Sequence, residues 1–144
     1  MDEYINALRV LWGDDKPTFH GEFVDFTDTY CRPQPVNKSI PIHIGGHTPR
    51  AARRAGELGD GFFPGAQGEV LADAIGRMRK AAESAGRDPD AIEVTAGGAM
   101  DPAGIEKLRE IGVTRVVIPP LAMDADGIRA ALESFAENVI AKVS

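Results

Sequence analysis

The sequence predicts an α/β domain whose four strands pair in parallel, and three observations lead there. From residue 40 onward, short apolar runs alternate with longer stretches whose apolar residues recur at helical spacing. Strands separated by helices return to the sheet in the same direction, which makes the pairing parallel. Glycine or proline marks nearly every junction of the alternation. Residues 1–13 and 14–40 stand outside this regularity, as a helix and an irregular insertion.

In the first segment Tyr4, Ile5, Leu8, Leu11 and Trp12 fall at helical spacing, and Gly13 is a stop. Residues 14–40 hold Pro17, Gly21, Pro33 and Pro35, with apolar side chains at Phe19, Phe23, Val24 and Phe26. A short β segment or hairpin within an irregular stretch is expected there, with His20 as a loop residue. The first regular unit begins with Ile40, Ile42 and Ile44, a strand that ends in Gly45-Gly46. Thr48 suits an N-cap and Pro49 the first helical position, and Ala51, Ala52, Ala55 and Leu58 give that helix one apolar face before Gly59. Gly61-Phe62-Phe63 is the second strand, ended by Pro64-Gly65. Its helix carries Leu71, Ala74, Ile75, Met78, Ala82 and Ala85 on one stripe and stops at Gly86. The third unit pairs a strand over 92–96 with a helix opened by Asp101-Pro102, bearing Ile105, Leu108 and Ile111, and stopped by Gly112. The fourth pairs the most β-like run, 115–118, with a helix from near Asp124 that presents Ile128, Leu132, Phe135, Val139 and Val143.

The bulk properties exclude several classes. A chain of 144 residues reads as one domain, 1–144, and 43% apolar with 26% charged residues is an ordinary globular balance. A net charge of −6 without any basic run disfavours nucleic acid or an anionic membrane as partner. The acidic start is unlike a secretory signal, and no apolar stretch reaches the roughly 18–20 residues that cross a bilayer. Cys31 is the only cysteine, which excludes an internal disulfide and a cysteine-based metal cluster. A cytoplasmic protein is the expectation.

Chemistry concentrates in residues 41–55, PIHIGGHTPRAARRA. A strand runs into two glycines that allow close backbone approach, and a helix start then offers unpaired N–H groups at its positive end. Thr48 can add a hydroxyl to a bound phosphate, and Arg50 lies near the helix start, ahead of Arg53 and Arg54. Equally, Gly45-Gly46 serves as a tight turn and Thr48 as a cap; the residues alone support both readings. His43 suits either a barrel mouth or a packed core, and His47 sits in the turn itself. The three histidines lack metal-ligand spacing, so no metal site is expected. Glu106 and Glu110 belong to a solvated face, and no acid/base constellation emerges. Four βα units fit half of a (β/α)8 barrel or a small open sheet of the flavodoxin-like kind, and pattern does not choose between them.

The segments EYINALRVLW, FHGEFVDF, RPQPV and IPIHIGGHTPRAARRAGELGDGFFP, followed by SAGRDPDAIEV and GVTRVVI, resemble luciferase-like monooxygenases, above all their deazaflavin-dependent branch. The resemblance covers nearly the whole chain, and the glycine-turn segment is its most specific part. It implies the C-terminal half of a TIM-type (β/α)8 barrel that binds coenzyme F420 or FMN at the C-terminal ends of its strands. It further implies that Gly45, Gly46 and Thr48, with His47 beside them, hold the cofactor phosphate, and that the loop from Pro64 to Gln67 faces the same mouth. Family members are roughly twice as long, so association as a homodimer or with a missing barrel half is expected. The implied activity is hydride transfer or monooxygenation through the bound cofactor. A non-catalytic module for a phosphorylated ligand, and a remnant or subunit that depends on an N-terminal half, are the rivals.

Overall fold

The computed structural model describes residues 1–120 and 122–143. Helix α1 spans Asp2–Gly13, and strands β1 (Phe19–His20) and β2 (Asp25–Phe26) follow as an antiparallel hairpin. Glu3 on α1 pins the turn of that hairpin by accepting the N–H groups of Glu22, Phe23 and Val24 at 3.1, 2.7 and 2.7 Å. A Cβ at Gly21 would collide with the Glu3 carboxylate, so this approach needs glycine. His20 departs from the loop expectation. The hairpin register sets it opposite Asp25, and its Nδ1 lies 2.8 Å from Asp25 Oδ2.

The second sheet has four parallel strands in the order β3-β4-β5-β6: His43–Gly45, Gly61–Phe63, Glu93–Gly97 and Arg115–Val117. Ile44 pairs with Phe62 and Phe62 with Val94, while Ala96 pairs with Val116. Helices α2 (Pro49–Leu58), α3 (Gly68–Ser84) and α4 (Pro102–Glu110) connect them. The chain closes with α5 (Ala125–Phe135), a π-helical turn and the short α6 (Ala141–Val143). The first regular strand starts later than its isoleucines suggest. Asp60 is the cause, because its Oδ2 takes the Ile42 N–H at 2.8 Å while Arg9 holds the same oxygen at 2.8 Å.

Alternation sends Ile44, Phe62, Val94 and Ala96 to one face, where they meet Ala52, Ala55, Leu71, Ala74, Ile75, Met78 and Ala82 in the core. Helices α2 and α3 approach closely because Gly56 has no side chain; a Cβ there would lie 2.7 Å from Ala82 N and 2.8 Å from Ala81 Cβ. On α1 only Ile5 and Ala7 are buried, and Tyr4 and Leu8 stay exposed, so the predicted stripe turns only partly inward. Packing thins toward the far edge. No described residue of α4 or α5 is fully buried, and of the stripe predicted for the last helix only Val139 is.

Candidate functional site at the ends of the parallel strands

Because the four strands are parallel, their C-terminal ends share one end of the sheet, and the turns that leave them form a single rim. Gly45, Gly46, His47 and Thr48 leave β3 together there. Gly46 adopts φ +113, a left-handed conformation that favours glycine, and its N–H donates to Phe63 O at 3.1 Å. A Cβ on Gly46 would also lie 3.3 Å from Ala51 Cβ. Thr48 caps α2, its hydroxyl oxygen accepting the Ala51 N–H at 3.2 Å. Pro49 brings no N–H of its own.

That leaves the backbone N–H groups of His47, Thr48 and Arg50 without partners among the described residues, in an exposed turn at the positive end of a ten-residue helix. The arginines of α2 divide in a useful way. Arg53 bonds both carboxylate oxygens of Glu57 at 2.9 and 2.6 Å, and Arg54 bonds Asp2. Arg50 has no acidic partner among the described residues and stays exposed beside the turn. Free N–H donors, a hydroxyl able to donate and one uncommitted guanidinium make a donor set that fits a phosphate group. Gly45 has room to spare, since a Cβ there would meet only Phe63 O at 3.9 Å.

A cavity lies one strand along the rim. It is an open cleft of about 240 Å³ between the loops after β4 and β5, lined by Gln67, Gly98 and Asp101 together with Leu71 and Leu108. Gly98 adopts φ +97, and a Cβ there would sit 2.7 Å from Gln67 Nε2. The sequence reading reached the loop from Pro64 to Gln67 but missed Gly97 to Asp101. The missed signal was legible: Gly97-Gly98 followed by Asp101-Pro102 repeats the pattern of Gly45-Gly46 followed by Thr48-Pro49, and Asp101 caps α4 through the Gly104 N–H at 3.0 Å.

The other candidates fall elsewhere. His43 lies neither in the core nor at the rim but across the opposite face of the sheet, its ring over Gly61 and its Nδ1 3.7 Å from Glu93 Oε1. Glu106 pairs with Arg109 on a solvated face, and Cys31 is a free, half-buried thiol. Among the described residues no group of three His, Cys, Asp or Glu side chains is placed to hold a metal ion, and no helix is long and apolar enough to cross a membrane.

A parallel sheet of βα units with the turns after its strands gathered at one rim defines a half-barrel of the (β/α)8 class. The family model for luciferase-like monooxygenases matches residues 1–100, and the chain belongs to that family. An uncharacterized protein of Mycobacterium tuberculosis is 37% identical over 99% of this chain and 52% of its own length. The F420-dependent glucose-6-phosphate dehydrogenase of Mycolicibacterium gilvum is 30% identical over 96% of the chain and 38% of its own length. Among solved structures, the coenzyme F420-dependent tetrahydromethanopterin reductase of Methanopyrus kandleri superposes with a TM-score of 0.76 at 16% identity, over 98% of this chain and 62% of that one. The chain thus spans about half the length of the relatives it matches.

Proposed function

We propose that this chain supplies the phosphate-binding half of an oxidoreductase barrel that uses coenzyme F420 or FMN. The observation that carries the reading is the turn from Gly45 to Arg50, where three N–H groups and the Arg50 guanidinium lack partners among the described residues and the Thr48 hydroxyl caps the start of α2. Similarity to F420-dependent enzymes supports the same assignment. Gly45, Gly46, His47 and Thr48 would hold the phosphate through backbone and hydroxyl, and Arg50 would balance its charge. When bound, such a cofactor carries the hydride or activates oxygen, and the protein binds, orients and shields it. The adjoining cavity at Gln67, Gly98 and Asp101 is where the loops would receive the substrate or the rest of the cofactor. A cytoplasmic location belongs to this reading.

A second reading has its own observation: the chain spans about half the length of its relatives. On that reading it is a phosphate-binding module or subunit that becomes catalytic only when the barrel is completed by another copy or another half.

Titration of the protein with FMN and with coenzyme F420, followed by fluorescence, tests the proposal. Saturable binding of either, weakened severalfold by Arg50→Ala and abolished by Gly46→Val, is the expected result. Arg50→Ala is the cleaner variant, because the side chain is exposed and makes no ion pair among the described residues. Binding that ignores both substitutions would place the phosphate elsewhere.

A further inference from the structure

The hairpin of β1 and β2 is held to the rest of the chain by very little. No residue from Phe19 to Phe26 is fully buried, and none belongs to the hydrophobic core or packs against it. Its two strands keep each other in place: Phe19 pairs with Phe26, their rings stacked at 6.0 Å between centroids, and His20 pairs with Asp25. The Gly21 N–H closes the turn onto Val24 O at 2.9 Å. Among the described residues, every hydrogen bond from residues 19–26 to the rest of the chain ends on one side chain, Glu3. The base of the insertion has its own anchor, because Gln34 Nε2 donates to the Asp14 and Trp12 carbonyls at 2.5 and 3.4 Å.

The contact at Glu3 has the form of an anion site. Three consecutive N–H groups converge on one carboxylate, Glu22 on Oε2 and both Phe23 and Val24 on Oε1. Successive N–H groups that converge in a turn make a concave nest for an anion. No lysine or arginine among the described residues shares Glu3, so the backbone alone receives its charge. Gly21 makes the approach possible, since a Cβ there would stand where the carboxylate oxygen sits. Phe23 beside it is 67% exposed, so the tip lies open to solvent.

We propose that the hairpin tip is a carboxylate-binding nest which the chain fills with its own Glu3, and that the hairpin is a strap held against α1 by this one group. When the carboxylate is removed or displaced, residues 19–26 move away as a unit about the base fixed by Gln34, while the core stays folded. The vacated nest then takes a carboxylate from solution.

Amide hydrogen exchange of the chain tests this, with acetate as the probe and chloride at equal ionic strength as its control. In the wild-type protein the Phe23 and Val24 amides should be protected. Glu3→Ala should lower that protection by at least about tenfold and leave the amides of α3 unchanged. Gly21→Ala, which drives Glu3 off the nest, should do the same. Acetate should restore protection in Glu3→Ala but not in Gly21→Ala, where the new Cβ occupies the nest. Equal exchange in the wild type and Glu3→Ala, a loss that spreads to α3, or acetate acting no better than chloride would overturn the proposal. None of these readouts involves a cofactor, so the assignment of the glycine turn is tested separately.

Discussion

Around β3 and β4 the helical layer is sealed, with Ala52, Ala55, Met78 and Ala82 out of contact with solvent, whereas around β6 the final helix leaves Ile128 36% and Leu132 51% exposed. Both regions have apolar stripes at the same spacing, so hydrophobic pattern does not explain the difference. Side-chain size and neighbours do. Small residues on α2 let α3 come close enough to bury Met78, while α5 borders an open cavity lined by Ile105, Val116, Ile118, Leu132 and Phe135. The glycine turn therefore stands on the tightly packed part of the molecule.

The comparison can be broken by matched truncations. Met78→Ala should cost roughly 2–5 kcal/mol in urea unfolding, because it opens a cavity in a closed core. Gly56→Leu should cost about 3 kcal/mol, as its side chain would drive α2 off the backbone of α3 near Ala82. Thr48→Ala should cost about 1 kcal/mol through the lost cap, separately from any effect on ligand binding. Leu132→Ala should stay within about 0.5 kcal/mol. A loss there as large as that at Met78 would erase the contrast between the two regions.

The smallest effect concerns acid. The hydrogen bond from Arg54 holds the Asp2 carboxyl below its ordinary range, against a desolvation that acts the other way. A depressed folded value means the contribution is complete above the unfolded pKa and disappears as pH falls through the folded one. Stability should therefore drop by a few tenths of a kcal/mol below about pH 4, and Asp2→Asn should remove that part of the slope.

Much of the scaffold was legible in the residues. Four strand–helix units were readable because each has its own punctuation: Thr48-Pro49 and Asp101-Pro102 cap and open helices, and Gly86 and Gly112 end them. The start of β3 was not, because the N–H of Ile42 is captured by Asp60, eighteen residues away, and no local pattern announces that. The same bond gives the Gly59-Asp60-Gly61 segment a structural role. Asp60 latches β3 with help from Arg9, and Gly61 makes room for His43. The glycine turn could be found from its spacing, but the free state of Arg50 could not, since Arg53 and Arg54 look identical to it in sequence. Which of three arginines keeps its charge available depends on where Asp2 and Glu57 fall in space.

The central claim is that the turn after β3 recognises a phosphate, and the most direct measurement is a paired titration with FMN and riboflavin, which share a ring and differ in that group. The account predicts that FMN binds at least about tenfold more tightly, and that Arg50→Ala narrows the gap by weakening FMN alone. Equal affinity for the two, or an Arg50→Ala effect that falls on both alike, would contradict it.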